Sequence, residues 1–415
     1  MNPQIQHTIS PEHFKEIELL LLCARPCPDA DTIKQIRSHV KKDLDWRYLL
    51  DTALFHKIHG LLYQSLEKAC PETVNSAALA KLKFEYKSNV ARSLLFSNRL
   101  LTILGRLERC RIPAVPFKGP VLAERVYGDA GLRQSVDLDI LVAQKDACRA
   151  KDILEKQGFL PEIDLDQKQF LTYTAKKNSI AMSLQSSVLA VDLHWEMSGN
   201  YAFEPLALNC MMEDMVEVTF AGEKLLQPCK ELLLVYLCLH GTRDCWNDLE
   251  SLASIAALIR SHDGWDWLRV MKRADRMHCR RMMVLALMLV NDLYDVRLPQ
   301  TVLRYVKKDP VVSKLAVPVC QRLFDSGRRH CAAETKVKFS LFHLRVRDSW
   351  SDRIRYMRHL IFGATIQEWR YFPMPARLSF LHGLLRPLRL SGAFLAWVVK
   401  GKKQVSGVRQ RELKN

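Results

Sequence analysis

Long apolar runs are what this 415-residue chain most lacks. Its longest uncharged apolar stretches, around Met282–Val290 and Ala393–Val399, reach at most half of the roughly 20 residues a membrane-spanning helix needs. No span is expected. The opening residues, MNPQIQHTISPEHFKEIE, are polar and acidic before the first apolar run, unlike a secretory leader. The expectation is a soluble, cytoplasmic chain, at most peripheral to a membrane. Twelve cysteines carry no repeated pair spacing, and Cys23-x-x-x-Cys27 is the one close pair, with no histidine at finger spacing after it. That argues against a zinc site and for reduced, mostly buried thiols. Gly-x-Ser-x-Gly is missing as well, so no serine-nucleophile elbow is expected. Internal repeats, low-complexity tracts and long linkers are also lacking.

What is present is an ordinary globular composition, 48% hydrophobic and 26% charged, in a chain long enough for two or three domains with real cores. The net charge is +17, and +12 of it falls in the last 78 residues, where sixteen Lys/Arg face four Asp/Glu. Such a block suits nucleic acid, an anionic lipid surface or an acidic partner; a solvated helical tail is the plainer reading. The run from Ser391 to Val399, followed by Lys400, Lys402 and Lys403, has the pattern of a segment that rests on an anionic membrane.

Residues 1–110 read as helices. One opens at Pro11, a second near Asp31 with Asp29 or Asp31 as cap, and a long third covers Ala77–Arg109 with Leu94, Leu95, Leu100, Leu101, Leu104 and Leu107 on one side. Ile112–Lys118 reads as a strand, Val121–Tyr127 as a helix with Lys118-Gly119 in the turn before it, and Gln144–Gln157 as a helix that Gly158 ends. Phe159–Ile163, Ser179–Leu184 and Val188–Trp195 read as strands. Beyond residue 205 the chain turns helical, with Glu231–His240, Trp246–Arg260, Trp265–Met277 and Arg281–Tyr294. The expected division is 1–110, a helical segment; 111–205, a catalytic core; 206–335, a helical domain; and 336–415, a basic helical tail.

The most informative stretch is FKGPVLAERVYGDAGLRQSVDLDILV, Phe117 to Val142. Asp137 and Asp139 alternate with Leu138 and Ile140, and on a strand residues two apart share a face, roughly 7 Å between them. Two carboxylates that close repel each other and are costly to bury without a counter-charge. A divalent cation is the common remedy, since Mg²⁺ is held by one or two carboxylates and substrate phosphates. An edge strand with two solvated aspartates is the competing reading. Upstream, glycine before a helix start offers free N–H groups to phosphate oxygens. Pro120 at that start loses only an N–H that had no partner.

Lys118-Gly119, Tyr127, Arg133 and Asp137-Leu138-Asp139-Ile140-Leu141-Val142 together resemble the signature of the uncharacterised bacterial nucleotidyltransferases within the DNA polymerase beta-like superfamily. Weaker features agree in order along the chain: Trp46 and His56 in DWRYLLDTALFHKIHGLL, Val191-Asp192-Leu193-His194-Trp195, His240 with Trp246 and Leu249, and Arg386-Pro387-Leu388-Arg389-Leu390. The superfamily usually carries a Gly-Ser pair, and here Gly119-Pro120 stands instead, with Pro120 seventeen residues before Asp137.

The resemblance implies an α+β fold, a polymerase-beta-like mixed sheet flanked by N- and C-terminal helices. It implies Mg²⁺ or Mn²⁺ held by Asp137, Asp139 and Asp192 as catalytic residues, a nucleoside triphosphate such as ATP met by Lys118, Gly119 and Arg133, and nucleotidyl transfer to an acceptor hydroxyl. A sugar, lipid-linked glycan or peptide is the implied acceptor, in polysaccharide or modified-peptide biosynthesis. His194, on the face of Asp192, and His240 with Arg243 and Trp246, are candidate substrate walls, though a packed histidine and a helix-packing tryptophan are commoner. Two other classes compete: a regulatory module that binds nucleotide without turnover, and a nucleic-acid- or membrane-associated protein acting through its basic end.

Overall fold

The computed structural model describes residues 11–185, 189–199, 202–324, 341–372 and 374–392. The boundary expected near 336 and the lysine-flanked run beyond 392 lie outside them. At the centre is a five-stranded mixed sheet, and helices on both of its sides complete the expected α+β arrangement. Its strands are β1 (Ala114–Pro116), β2 (Asp137–Val142), β3 (Phe159–Pro161), β4 (Ser179–Leu184) and β5 (Ala190–His194), in the order β1-β2-β5-β4-β3. Only β2 and β5 run parallel. Their register sets Asp139 opposite Asp192, so the two side chains share a face.

Period-two alternation sorts the faces. Leu138, Ile140, Val142, Val191 and Leu193 point into a core built with Leu100, Leu104, Leu107, Phe170 and Tyr173. Val115, Phe117 and Leu141 face the other way, into a larger core shared by the N-terminal helices and helices Lys230–Arg243, Leu249–Arg260 and Arg280–Tyr294. The aspartates of β2 lie on that second face, where the sheet meets the helical region.

Several expectations are corrected. On helix Ser76–Arg109, Leu94 and Leu95 are exposed, and Phe96 joins Leu100, Ile103, Leu104 and Leu107 inside; a 3.6-residue repeat carried back from Leu107 lands on Phe96. Beyond residue 205 the chain forms a hairpin, β6 (Met215–Phe220) with β7 (Glu223–Pro228). Its turn residues Ala221 and Gly222 both have positive φ, a hairpin geometry usually signalled by Asn-Gly or Asp-Gly. Helix Leu249–Arg260 starts three residues later than expected, because Cys245 and Trp246 are left-handed and Asp248 caps it by accepting from Ser251 N–H. Strand β1 is shorter than Ile112–Lys118, and β3 ends at Pro161, which has no N–H to give the ladder.

Among the described residues no helix is long and apolar enough to cross a membrane.

Residues 341–392 are tied to the helical region through His343. Its Nε2 lies 3.0 Å from the Arg243 carbonyl and 3.3 Å from Cys245 Sγ, and its Nδ1 lies 3.2 Å from the Tyr356 hydroxyl. Burial holds the imidazole down to about 4, against the pull of the Arg243 and Thr242 carbonyls. An unfolded ring takes its proton near 6.5 and the native ring only near 4. Stability from the neutral ring, about 3 kcal/mol, is therefore complete above the unfolded value and drains as pH falls towards the native one. Urea midpoints measured across that range should fall for the native chain and be flatter for His343→Gln.

Candidate active site

The turn between β1 and helix Gly119–Tyr127 brings Lys118 over β2. Gly119 has φ +61°, a left-handed conformation that favours glycine. A methyl group there would lie 3.5 Å from the Asp137 carbonyl oxygen and 4.0 Å from Ser135 Oγ. The helix start is thus pressed against the residues that lead into β2. Ser135 is buried, and its hydroxyl has no hydrogen-bond partner among the described residues.

Lys118 Nζ lies 3.1 Å from Asp139 Oδ1. His194 Nε2 approaches the same oxygen at 3.2 Å and Asp192 Oδ2 at 3.9 Å. Asp139 is buried, and its second oxygen, Oδ2, has no hydrogen-bond partner among the described residues. Asp192 is about one-third exposed along its side chain. Ligand atoms of Asp139, Asp192 and His194 all fall within 4.8 Å of one another, close enough to hold one metal ion. A buried carboxylate oxygen beside a second carboxylate and an imidazole is a donor set that could hold a divalent metal ion.

Electrostatics divide the two strand aspartates. For Asp139, burial alone would favour the neutral acid, but Lys118 and His194 outweigh it and hold the carboxyl well below its ordinary range. Asp137 is pushed up to about 6 by burial and by the charge of Asp139, with Lys118 opposing. Lys118 would be lowered by burial, yet Asp139 raises it overall, so its ammonium stays charged. Its charge also lies 5.8 Å from the ring centres of Phe117 and Tyr236. Burial, more than Lys118 offsets, moves the Tyr236 hydroxyl up to about 12.

The remaining sequence candidates are spread. His240 sits beside Tyr236 with ring centres 5.8 Å apart, and its Nε2 meets Arg243 Nη2 at 3.0 Å. Burial, then Lys118 and Arg243, hold it well below its ordinary value, so it borders the site as a neutral ring. Trp246 does not border the site. It is fully buried, and its ring packs so tightly on Gly241 that a methyl there would come within 2.2 Å. That is the helix-packing role, and the substrate-wall reading of Trp246 is corrected.

Arg133 donates from Nε to Glu250 Oε1 at 2.8 Å, both side chains nearly buried. Glu250 also accepts from Ser254 Oγ, which lies 3.1 Å from the Tyr127 hydroxyl. Arg133 and Tyr127 thus brace the Gly119–Tyr127 region on helix Leu249–Arg260. Glu250 and Ser254 escaped sequence reading; the only signal was an acid at the start of the apolar stretch LESLASIAALI. Ser135 and Tyr236 carried no signal at all, since neither belongs to a spacing pattern.

A family model described as uncharacterised nucleotidyltransferase matches residues 42–295. Among solved structures, the solution structure of the antibiotic-resistance factor ANT(2'')-Ia is similar at 14% identity and a TM-score of 0.33, over 44% of this chain and 92% of that one. No curated protein matches the chain.

Proposed function

Since the chain belongs to the uncharacterised nucleotidyltransferase family, we propose that it transfers a nucleoside monophosphate from a nucleoside triphosphate to an acceptor hydroxyl, with Mg²⁺ or Mn²⁺. The observation that carries this reading is Asp139 facing Asp192 across the parallel β2–β5 pair, with Asp139 Oδ2 buried and unpaired. Asp139 and Asp192, with Asp137 or His194, would hold the cation, which supplies charge neutralisation at the phosphates.

The chain's own groups do the rest. Lys118 places a charged ammonium at the glycine turn, where the helix start offers backbone N–H groups to phosphate oxygens. Ser135, whose Oγ lies beside Gly119, supplies the hydroxyl that a Gly-Ser pair would have given. Asp192, the more exposed carboxylate, accepts the acceptor's proton. The freed oxygen attacks the α-phosphorus in line, the bond to the bridging oxygen breaks, and pyrophosphate leaves. Positioning and charge carry this chemistry, so no covalent nucleophile is needed. The acceptor is sought among sugars, lipid-linked glycans and peptides, the classes in keeping with polysaccharide or modified-peptide assembly.

The test is incubation of the chain with each labelled triphosphate, Mg²⁺ and a cell extract. Label on one acceptor with release of pyrophosphate supports transfer. Triphosphate binding with no pyrophosphate from any acceptor points to the regulatory module instead. Ser135→Ala is expected to weaken triphosphate binding about tenfold by calorimetry. Its melting temperature should hold or rise, because a buried hydroxyl without a partner is removed.

A further inference from the structure

Residues 341–392 leave an apolar surface open. Helix Trp350–Phe362 buries Asp352 and Tyr356 on one side. Trp350, Ile354, Met357 and Ile361 recur on the other at helical spacing, Trp350 being 74% and Ile354 67% exposed. A second row, Phe380, Leu384 and Leu388, repeats every four residues along the helical stretch 381–392, and each is more than half exposed.

The helices that carry the two rows meet. Gly383 brings the second helix so close that a methyl there would lie 2.8 Å from the Phe362 carbonyl oxygen, and Arg386 donates to the Gly363 carbonyl. Two exposed apolar rows on helices that meet are unusual on a protein surface unless something covers them.

Charge decides what. Residues 341–392 hold nine arginines and three acidic residues, and all three acids are engaged. Asp348 accepts from the backbone N–H groups of Arg280 and Arg281. Asp352 pairs with His278 and Arg355, and Glu368 with Arg389. The same residues carry exposed cations beside the apolar side chains in sequence, among them Arg345, Arg358 and Arg377. Aromatic and leucine side chains beside arginine on amphipathic helical stretches are the pattern of an element that lies in a headgroup layer. Anionic lipid complements its charge.

We infer that the face formed by helix Trp350–Phe362 and residues 380–392 docks the protein on an anionic bilayer, with Trp350, Ile354, Leu384 and Leu388 inserted and the arginines on lipid phosphates. This inference is independent of the transfer chemistry.

The full chain is to be sedimented with phosphatidylcholine vesicles, alone and with about one-third phosphatidylglycerol. Binding to the anionic vesicles only, weakened by salt, is the expected result. The variant Trp350→Gln/Ile354→Gln/Leu384→Gln/Leu388→Gln should keep its melting temperature and partition about a hundredfold less. Arg358→Glu/Arg377→Glu should lose the preference for anionic lipid. Failure of the native chain to bind anionic vesicles overturns the inference, as does equal binding by the glutamine variant. A native dimer that the glutamine variant makes monomeric, with neither form on vesicles, overturns it too and assigns the face to a second copy.

Discussion

Asp192→Asn is expected to stop transfer while leaving the fold untouched, whereas Asp139→Asn should damage both. The two carboxylates face each other in register, yet their surroundings differ. Asp192 is about one-third exposed, and His194 lies 3.9 Å from its carboxylate. On the proposed mechanism the loss of Asp192 removes a cation ligand and the proton acceptor, about 10³-fold or more in rate, with little change in stability. Asp139 is buried, and its charge compensates Lys118. An asparagine there strands a buried ammonium, which costs about 3–5 kcal/mol. Single-turnover rates read beside urea unfolding separate the two outcomes. An active Asp192→Asn enzyme would remove that residue from the mechanism, and a fully stable Asp139→Asn would show that Lys118 finds another partner or the solvent.

Glu250→Ala should be the most damaging change away from the acidic cluster. Arg133 and Glu250 are separated by 117 residues in sequence and join the segment before β2 to helix Leu249–Arg260. Removing the acid leaves a nearly buried guanidinium uncompensated, again about 3–5 kcal/mol, and also unties Ser254. Replacing both partners, as Arg133→Met/Glu250→Leu, should recover most of the loss, because a buried pair exchanged for apolar groups is often neutral. The measurement is the unfolding midpoint of the two single variants and the double. If Glu250→Ala melts like the native chain, the pair is not a brace, and Arg133 is free to meet a triphosphate.

That pair also shows where the sequence stops being readable. The alternation of Asp137, Leu138, Asp139 and Ile140 announces a strand and its two faces, because side-chain direction on a strand follows from the backbone alone. Asp192 stands out as an acid in an apolar run for the same reason. What a periodicity cannot carry is which distant group answers a charge. Lys118 could be read as a phosphate contact, but its seat on Asp139 depends on the curvature of one glycine turn. Arg133 could be read as a triphosphate contact, but its partner lies in a helix more than a hundred residues away. The start of helix Leu249–Arg260 and the hairpin β6–β7 were missed through local conformation: left-handed residues at 245 and 246, and an Ala-Gly turn in place of the usual Asn-Gly.

The Lys118 ammonium already balances Asp139 from within the chain, so the fold carries its own counter-ion and does not lean on a borrowed one. Chelation should therefore silence the protein without melting it, and adding the cation back should restore work at once, with no refolding in between.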